Sequence, residues 1–185
     1  MSGPDAVKMG FLRKPELKII GKVSQYGPAD VAKYKTFYGE CLRDGVFDRL
    51  SHVKCVSGTR GYFFRDVHLL GVEVKADAQN DSAEFVERIV PPAEYAYFVS
   101  AADDMIQPVW KRAEAWIRDH GAQSGITPGI PWSEDDGHPR CFVVFAPVGP
   151  GVFGSGATQA SVLEYPSFFG ADECDMLIRN SVPLQ

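Results

Sequence analysis

The chain has no long hydrophobic run, no excess of basic charge and few cysteines, and each lack narrows what it can be. The longest uninterrupted apolar stretch, Cys141 to Val148, is far shorter than the roughly 20 residues a membrane-spanning helix needs. Lys and Arg number 19 against 24 Asp and Glu, a formal net charge of -5. A nucleic-acid-binding surface neutralises phosphates with a basic face, so neither direct nucleic-acid contact nor a membrane partner is expected. The four cysteines, Cys41, Cys55, Cys141 and Cys174, lie far apart with no C-x-x-C pair. A chain of 185 residues can build a full core without disulfides, so they are read as reduced thiols. His52, His68, His120 and His138 have no metal-ligand spacing with each other or with cysteine, so no metal or cofactor is expected. The opening MSGPDAVKMGF lacks the charged and apolar regions of a secretory signal, which gives a cytoplasmic expectation.

What is present is an ordinary globular composition, 45% apolar and 23% charged, in a pattern that repeats. Leu17 to Val23 reads as a strand. Asp30 is a candidate N-cap for a helix in which Val31, Tyr34, Phe37, Tyr38, Cys41 and Leu42 recur at helical spacing up to Gly45. Tyr62 to Arg65 and Leu69 to Lys75 follow as two strands, the second alternating Leu70, Val72 and Val74 with Glu73 and Lys75. The second half repeats the order. One long strand, Phe85 to Val99, is broken at Pro91-Pro92. Asp103 and Asp104 then start a helix with the apolar stripe Ile106, Val109, Trp110, Ala113, Trp116 and Ile117, ending at Gly121. Arg140 to Ala146 and Ser161 to Tyr165 are the last predicted strands.

The predicted fold class is two-layer α+β: two strand-helix-strand-strand repeats forming an antiparallel sheet with two helices on one face. On this reading residues 1–14 are an N-terminal extension, 15–75 and 84–166 are the halves, and 167–185 are a tail. Several strands are apolar on both sides: Tyr62-Phe63-Phe64, Tyr95 to Val99 and Cys141 to Phe145. Helices can cover one sheet face only. The other must meet a ligand, a partner subunit, or the tail with its Phe168, Phe169, Met176, Leu177 and Ile178. Tyr95 and Tyr97 share one strand face and Tyr62 and Phe64 another, which suits opposite walls of a cleft. Trp110, Trp132 and Phe145 are the other candidate ligand-binding aromatics.

Residues Ile89 to Phe98, then Ile106, Trp110, Trp116-Ile117 and Gly121, with Leu70 to Val74 upstream, resemble the GyrI-like family, the bacterial transcription-activator effector-binding domains. The likeness covers roughly residues 15–166. It implies a two-halved fold with a cleft that takes hydrophobic, often cationic or polyaromatic small molecules. Some members sit behind DNA-binding domains, some modulate DNA gyrase, and some stand-alone members hydrolyse reactive cyclopropane-bearing natural products. No helix-turn-helix precedes the strand at Leu17, so a stand-alone member is expected.

The family carries a functional glutamate in the strand after the second helix, in a Glu-x-Tyr context. If that strand is Arg140 to Ala146, its acidic position holds Val143 or Val144. The nearest carboxylates are Glu134, in Trp132-Ser133-Glu134-Asp135-Asp136, and Glu164, in Val162-Leu163-Glu164-Tyr165. Either could attract a cation or act as a general base, with Tyr97 as the acid. Glu134 to Asp136 also reads as a solvated acidic turn, and Glu164 within a strand must face solvent or find a partner. Gly149 to Gly154 fits G-x-G-x-x-G but lacks the βαβ setting of a dinucleotide site, and reads as a loop. Three functions follow: a stand-alone small-molecule binder, a hydrolase or ring-opening enzyme with a Glu/Tyr pair, and a homodimeric ferredoxin-like barrel or protein-interaction module.

Overall fold

The computed structural model describes residues 7–27, 31–53, 57–100, 106–120, 129–135, 141–149, 163–164 and 173–183. Its strands are β1 (Lys8–Lys14), β2 (Leu17–Val23), β3 (Arg60–Phe63), β4 (His68–Val74), β5 (Val86–Val90), β6 (Ala93–Ser100), β7 (Trp132–Asp135), β8 (Phe142–Val148), β9 (Leu163–Glu164) and β10 (Val182–Pro183). Its helices are α1 (Val31–Arg43), α2 (Val46–Ser51), α3 (Ile106–His120) and α4 (Glu173–Arg179). Local chemistry sets several boundaries. Gly45, at φ 72°, takes the left-handed position just past α1 that a side chain with a Cβ resists. Pro108 sits in the first turn of α3, where its missing N–H costs nothing.

The halves are β2-α1-β3-β4 and β6-α3-β7-β8, and the sheet order is β10-β1-β6-β8-β7-β3-β4-β2-β5, antiparallel throughout, with β9 added parallel to β1. The two-layer α+β architecture is the one the sequence pattern predicts. The halves meet at the β3–β7 seam, where Gly61 pairs with Glu134, Tyr62 with Ser133 and Phe63 with Trp132.

The structure corrects four readings of the chain. Residues 8–14 are no extension: β1 pairs with β6 along its whole length, Lys8 opposite Val99 to Lys14 opposite Ala93. Its charged ends and central Gly10 hid the alternation. The single strand expected from Phe85 to Val99 is two, because Pro91-Pro92 supplies no N–H to a ladder; β5 pairs with β2 and β6 with β1 and β8. The acidic turn is central strand β7, so the strand beginning near Arg140 is the second after α3. Finally, Cys141 is disulfide-bonded. Cys41 is a free thiol, and burial pushes its pKa to about 11, which leaves it protonated and inert.

Two short links bend the sheet. Lys14 and Leu17, and likewise Val90 and Ala93, end strands six steps apart in the strand order. Six steps of a flat sheet span roughly 29 Å, whereas such a link reaches at most about 11 Å. The sheet therefore curls until its ends approach, with α1, α2 and α3 outside. On the outer face α3 packs on Met9, Phe11, Phe98, Val144 and Ala146, and α1 with α2 packs on Ile20, Leu70, Val72 and Val74. The inner face holds Leu12, Tyr95, Tyr97 and Phe145, and beside them Ile19, Tyr62, Phe64 and Leu69.

The doubly apolar strands are thus explained within the chain. Leu177 of α4 is fully buried against the inner-face cluster of Tyr95, Tyr97 and Phe145. The Tyr97 hydroxyl donates to the Leu177 carbonyl at 3.1 Å. Gly10 makes room for that ring, since a Cβ there would overlap the Tyr97 hydroxyl. Phe168 and Phe169 lie outside the described residues.

One surface network yields a pH prediction. Glu84 accepts from Arg49 at 2.8 Å and from Lys22 at 2.9 Å, and these partners lower its pKa from 4.5 to about 2. A depressed carboxylate adds stability above its unfolded pKa and loses it as pH falls through the folded one. Acid titration of Glu84→Gln should therefore be flatter than wild type between about pH 4.5 and 2. Solvent screening keeps the difference below about 1 kcal/mol. Identical slopes by urea denaturation would contradict the assignment.

Candidate functional site

The seam between the halves gathers aromatic side chains on the outer face. Strand residues alternate between faces, so Gly61 and Phe63 of β3 share the outer face with Trp132 and Glu134 of β7 and His68 of β4. From above, α3 contributes Trp110 and α1 contributes Tyr34. Trp110 and Trp132 stack with centroids 5.6 Å apart and planes at 10°, and Phe63 meets Trp110 edge-on at 5.4 Å. Tyr34 tilts against Phe63 at 4.7 Å, and His68 sits edge-on to both rings.

Glu134 enters this aromatic group as its acid. The indole N–H of Trp110 donates to Glu134 Oε2 at 2.6 Å, a short charge-assisted bond that fixes both groups. Gly61 has a visible purpose here. A Cβ on it would overlap the Tyr34 hydroxyl and stand 3.2 Å from Glu134 Cγ, so the missing side chain brings phenol and carboxylate over one spot. Phe63, Trp110, Trp132 and Glu134 are all half-buried, whereas their neighbours Tyr62, Leu70 and Val144 are at most 2% exposed. Half-buried aromatic rings around a carboxylate at the seam between the halves make this the candidate groove.

The sequence candidates divide between the faces. Trp110, Trp132 and Glu134 come together in the groove. Tyr62, Phe64, Tyr95, Tyr97 and Phe145 lie on the inner face, each no more than 3% exposed. Tyr97 and Glu134 therefore stand on opposite sides of the sheet. Burial raises the pKa of the Tyr97 phenol, and burial followed by the Glu73 charge raises that of Tyr95. The backbone of Glu164 runs beside Arg13 in β9; its side chain lies outside the described residues.

Two groups escaped the sequence reading. Tyr34, Phe63 and His68 complete the groove; the signal was Gly61, a strand glycine two residues from Phe63, which marks a close approach. Lys14, Arg60 and Glu73 form a charge cluster on the inner face. Glu73 Oε1 lies 3.2 Å from Lys14 Nζ, 3.3 Å from an Arg60 nitrogen and 3.4 Å from the Tyr62 hydroxyl. Glu73 and Arg60 are 0% exposed and Lys14 4%. Glu73 was read as the polar side of a half-buried strand, but that side faces inward.

No protein-family model and no curated protein sequence matches the chain, but solved structures do. SAV2435 bound to tetraphenylphosphonium is similar at a TM-score of 0.60 and 16% identity, over 77% of this chain and 94% of that one. A Staphylococcus aureus MU50 protein described as a bacterial transcription regulation protein gives 0.57 and 16%, over 76% and 97%. The EcmrR C-terminal domain gives 0.51 and 12%, over 77% and 97%. The chain shares its fold with these structures, in line with the resemblance read from its sequence. In this fold the strand after α3 is β7, and it carries Glu134. Val143 and Val144, assigned to that strand from sequence, belong to β8. Asp135 and Asp136 follow Glu134, so the family's Glu-x-Tyr pattern is not reproduced.

Proposed function

We propose that the chain is a binding domain for a lipophilic aromatic cation, held in the groove between its halves. The observation that carries this reading is the half-buried Glu134 among the half-buried rings of Trp110, Trp132 and Phe63. Tryptophan faces attract cations through their quadrupole, more strongly where water is partly excluded. The indole N–H orients the carboxylate without cancelling its charge. The cationic ligand of the structurally similar SAV2435 supports the choice of class.

The test pairs two probes of one shape and opposite charge, tetraphenylphosphonium and tetraphenylborate, titrated against tryptophan fluorescence and by calorimetry. The phosphonium should bind and the borate should bind far more weakly. Glu134→Gln should weaken the phosphonium by roughly tenfold to a hundredfold, the Coulomb energy of one charge pair about 6–12 Å apart at an effective dielectric near 20. Equal binding of both probes, or an unchanged affinity in Glu134→Gln, would end this reading.

The hydrolytic alternative gains one specific observation: the Tyr34 hydroxyl and Glu134 lie over Gly61, where an acid and a base could act on one electrophile. Turnover of an electrophilic aromatic probe that survives both Tyr34→Phe and Glu134→Gln would remove this pair.

A further inference from the structure

The groove has a counterpart on the reverse of the same strands. Arg60 and Tyr62 point inward from β3, while Gly61 and Phe63 point outward into the groove. On the inner side Glu73 joins residues from both halves. Arg60, Tyr62 and Glu73 come from the first half, and Lys14 comes from β1, the partner of β6 in the second. Both cations also engage Phe145 of β8: Lys14 Nζ is 4.3 Å and the Arg60 guanidinium 5.4 Å from its ring centroid. Phe145 pairs in register with Ser133 of β7, the residue between Trp132 and Glu134.

We propose that Lys14, Arg60 and Glu73 form a clamp that sets the β3–β7 seam, making Lys14 a positioning residue for ligand binding although it lies on the opposite face from the groove. This rests on the groove being the binding site. The seam itself is three residue pairs long. β3 is a four-residue strand whose successive side chains point to opposite faces, so its inner and outer residues shift together. Any displacement of Arg60 and Tyr62 relative to Phe145 displaces Gly61 and Phe63 relative to Glu134 and Trp132. Burial makes the clamp stiff, since charges this desolvated cannot exchange their partners for water.

The test is Lys14→Met, which removes one arm and leaves Glu73 with Arg60. Two signals in one amide-and-side-chain NMR spectrum read it. The Trp110 indole N–H resonance reports the groove, because it is bonded to Glu134 and stacked on Trp132; the Arg60 Nε–H resonance reports the clamp. In Lys14→Met the Trp110 resonance should move, and tetraphenylphosphonium affinity should fall about five- to tenfold, a typical coupling. Lys14→Arg, which keeps the charge, should restore both. A folded Lys14→Met with the wild-type Trp110 resonance overturns the proposal, whatever its affinity. An altered resonance with unchanged affinity overturns the claim that Lys14 positions the ligand site.

If Lys14→Met does not fold, wild type decides. The inner and outer residues of β3 shift together, so tetraphenylphosphonium in the groove should shift the Arg60 Nε–H, and no shift at saturation refutes the clamp. If wild type fails to bind the probe, the binding reading falls, and the Trp110 resonance in Lys14→Met, or in Arg60→Met should the first variant not fold, still reports whether clamp and seam are coupled.

Discussion

Glu73→Leu should destabilise the fold by about 3–5 kcal/mol, the cost of removing one partner from a buried ion pair. Glu73 is 0% exposed and accepts from Lys14, Arg60 and Tyr62. Leucine would fill the volume but leave both cations in the interior without the carboxylate they share. Desolvated charge, rather than lost packing, dominates the expected effect. A triple variant tests that: Glu73→Leu with Lys14→Met and Arg60→Met should recover most of the loss, because apolar replacements of buried ion pairs are often neutral or better. Urea denaturation followed by far-ultraviolet circular dichroism measures both. A single variant within about 1 kcal/mol of wild type would mean that the cluster is not sealed from water.

Leu177→Ala should cost about 2–5 kcal/mol, the range for emptying a fully buried leucine site. Leu177 is 0% exposed among Tyr95, Tyr97, Val143 and Phe145, and α4 has only seven residues with which to hold itself in place. Tyr97→Phe, which deletes the hydrogen bond to the Leu177 carbonyl and keeps the ring, should cost about 1 kcal/mol. Hydrogen exchange adds a local reading: amides of β6 and β8 should lose protection in Leu177→Ala more than those of β2 and β4. A change below about 0.5 kcal/mol, the range of surface substitutions, would show that α4 is not part of the core.

The legible and illegible parts of this chain differ in their chemistry. β2, β4, α1 and α3 announced themselves because their apolar residues recur at the period of the element, Leu70, Val72 and Val74 being a clear case, and β8 by its continuous apolar run. β7 did not. Trp132-Ser133-Glu134-Asp135 has the composition of a turn, and it is a strand because β3 and β8 flank it and supply hydrogen bonds on both sides. Misplacing β7 shifted the next strand by one and made the glutamate of the second half look absent. β1 was obscured in a similar way, with Gly10 standing where a side chain would strike Tyr97.

The candidate residues show the same limit. Aromatic content pointed to Tyr62, Tyr95 and Tyr97 as readily as to Trp110 and Trp132, because sequence gives the alternation of a strand without saying which face is open. The curl of the sheet decides that. Short links at Pro15-Glu16 and Pro91-Pro92 bring its ends together, which seals the tyrosine face as an interior and leaves the outer seam for Trp110, Trp132, Phe63 and Glu134.

By itself, then, the sequence determined the element periods, the two-halved α+β class and the resemblance to the effector-binding domains, all of which are local or near-local patterns of apolar spacing. Only the tertiary structure decided that Glu73 and Lys14 are partners 59 residues apart, that Glu134 meets Trp110 beside the β3–β7 seam, and that Leu177 closes the inner face. Those contacts join segments distant in the chain, and closure of the sheet, not any property of the segments alone, brings them into reach.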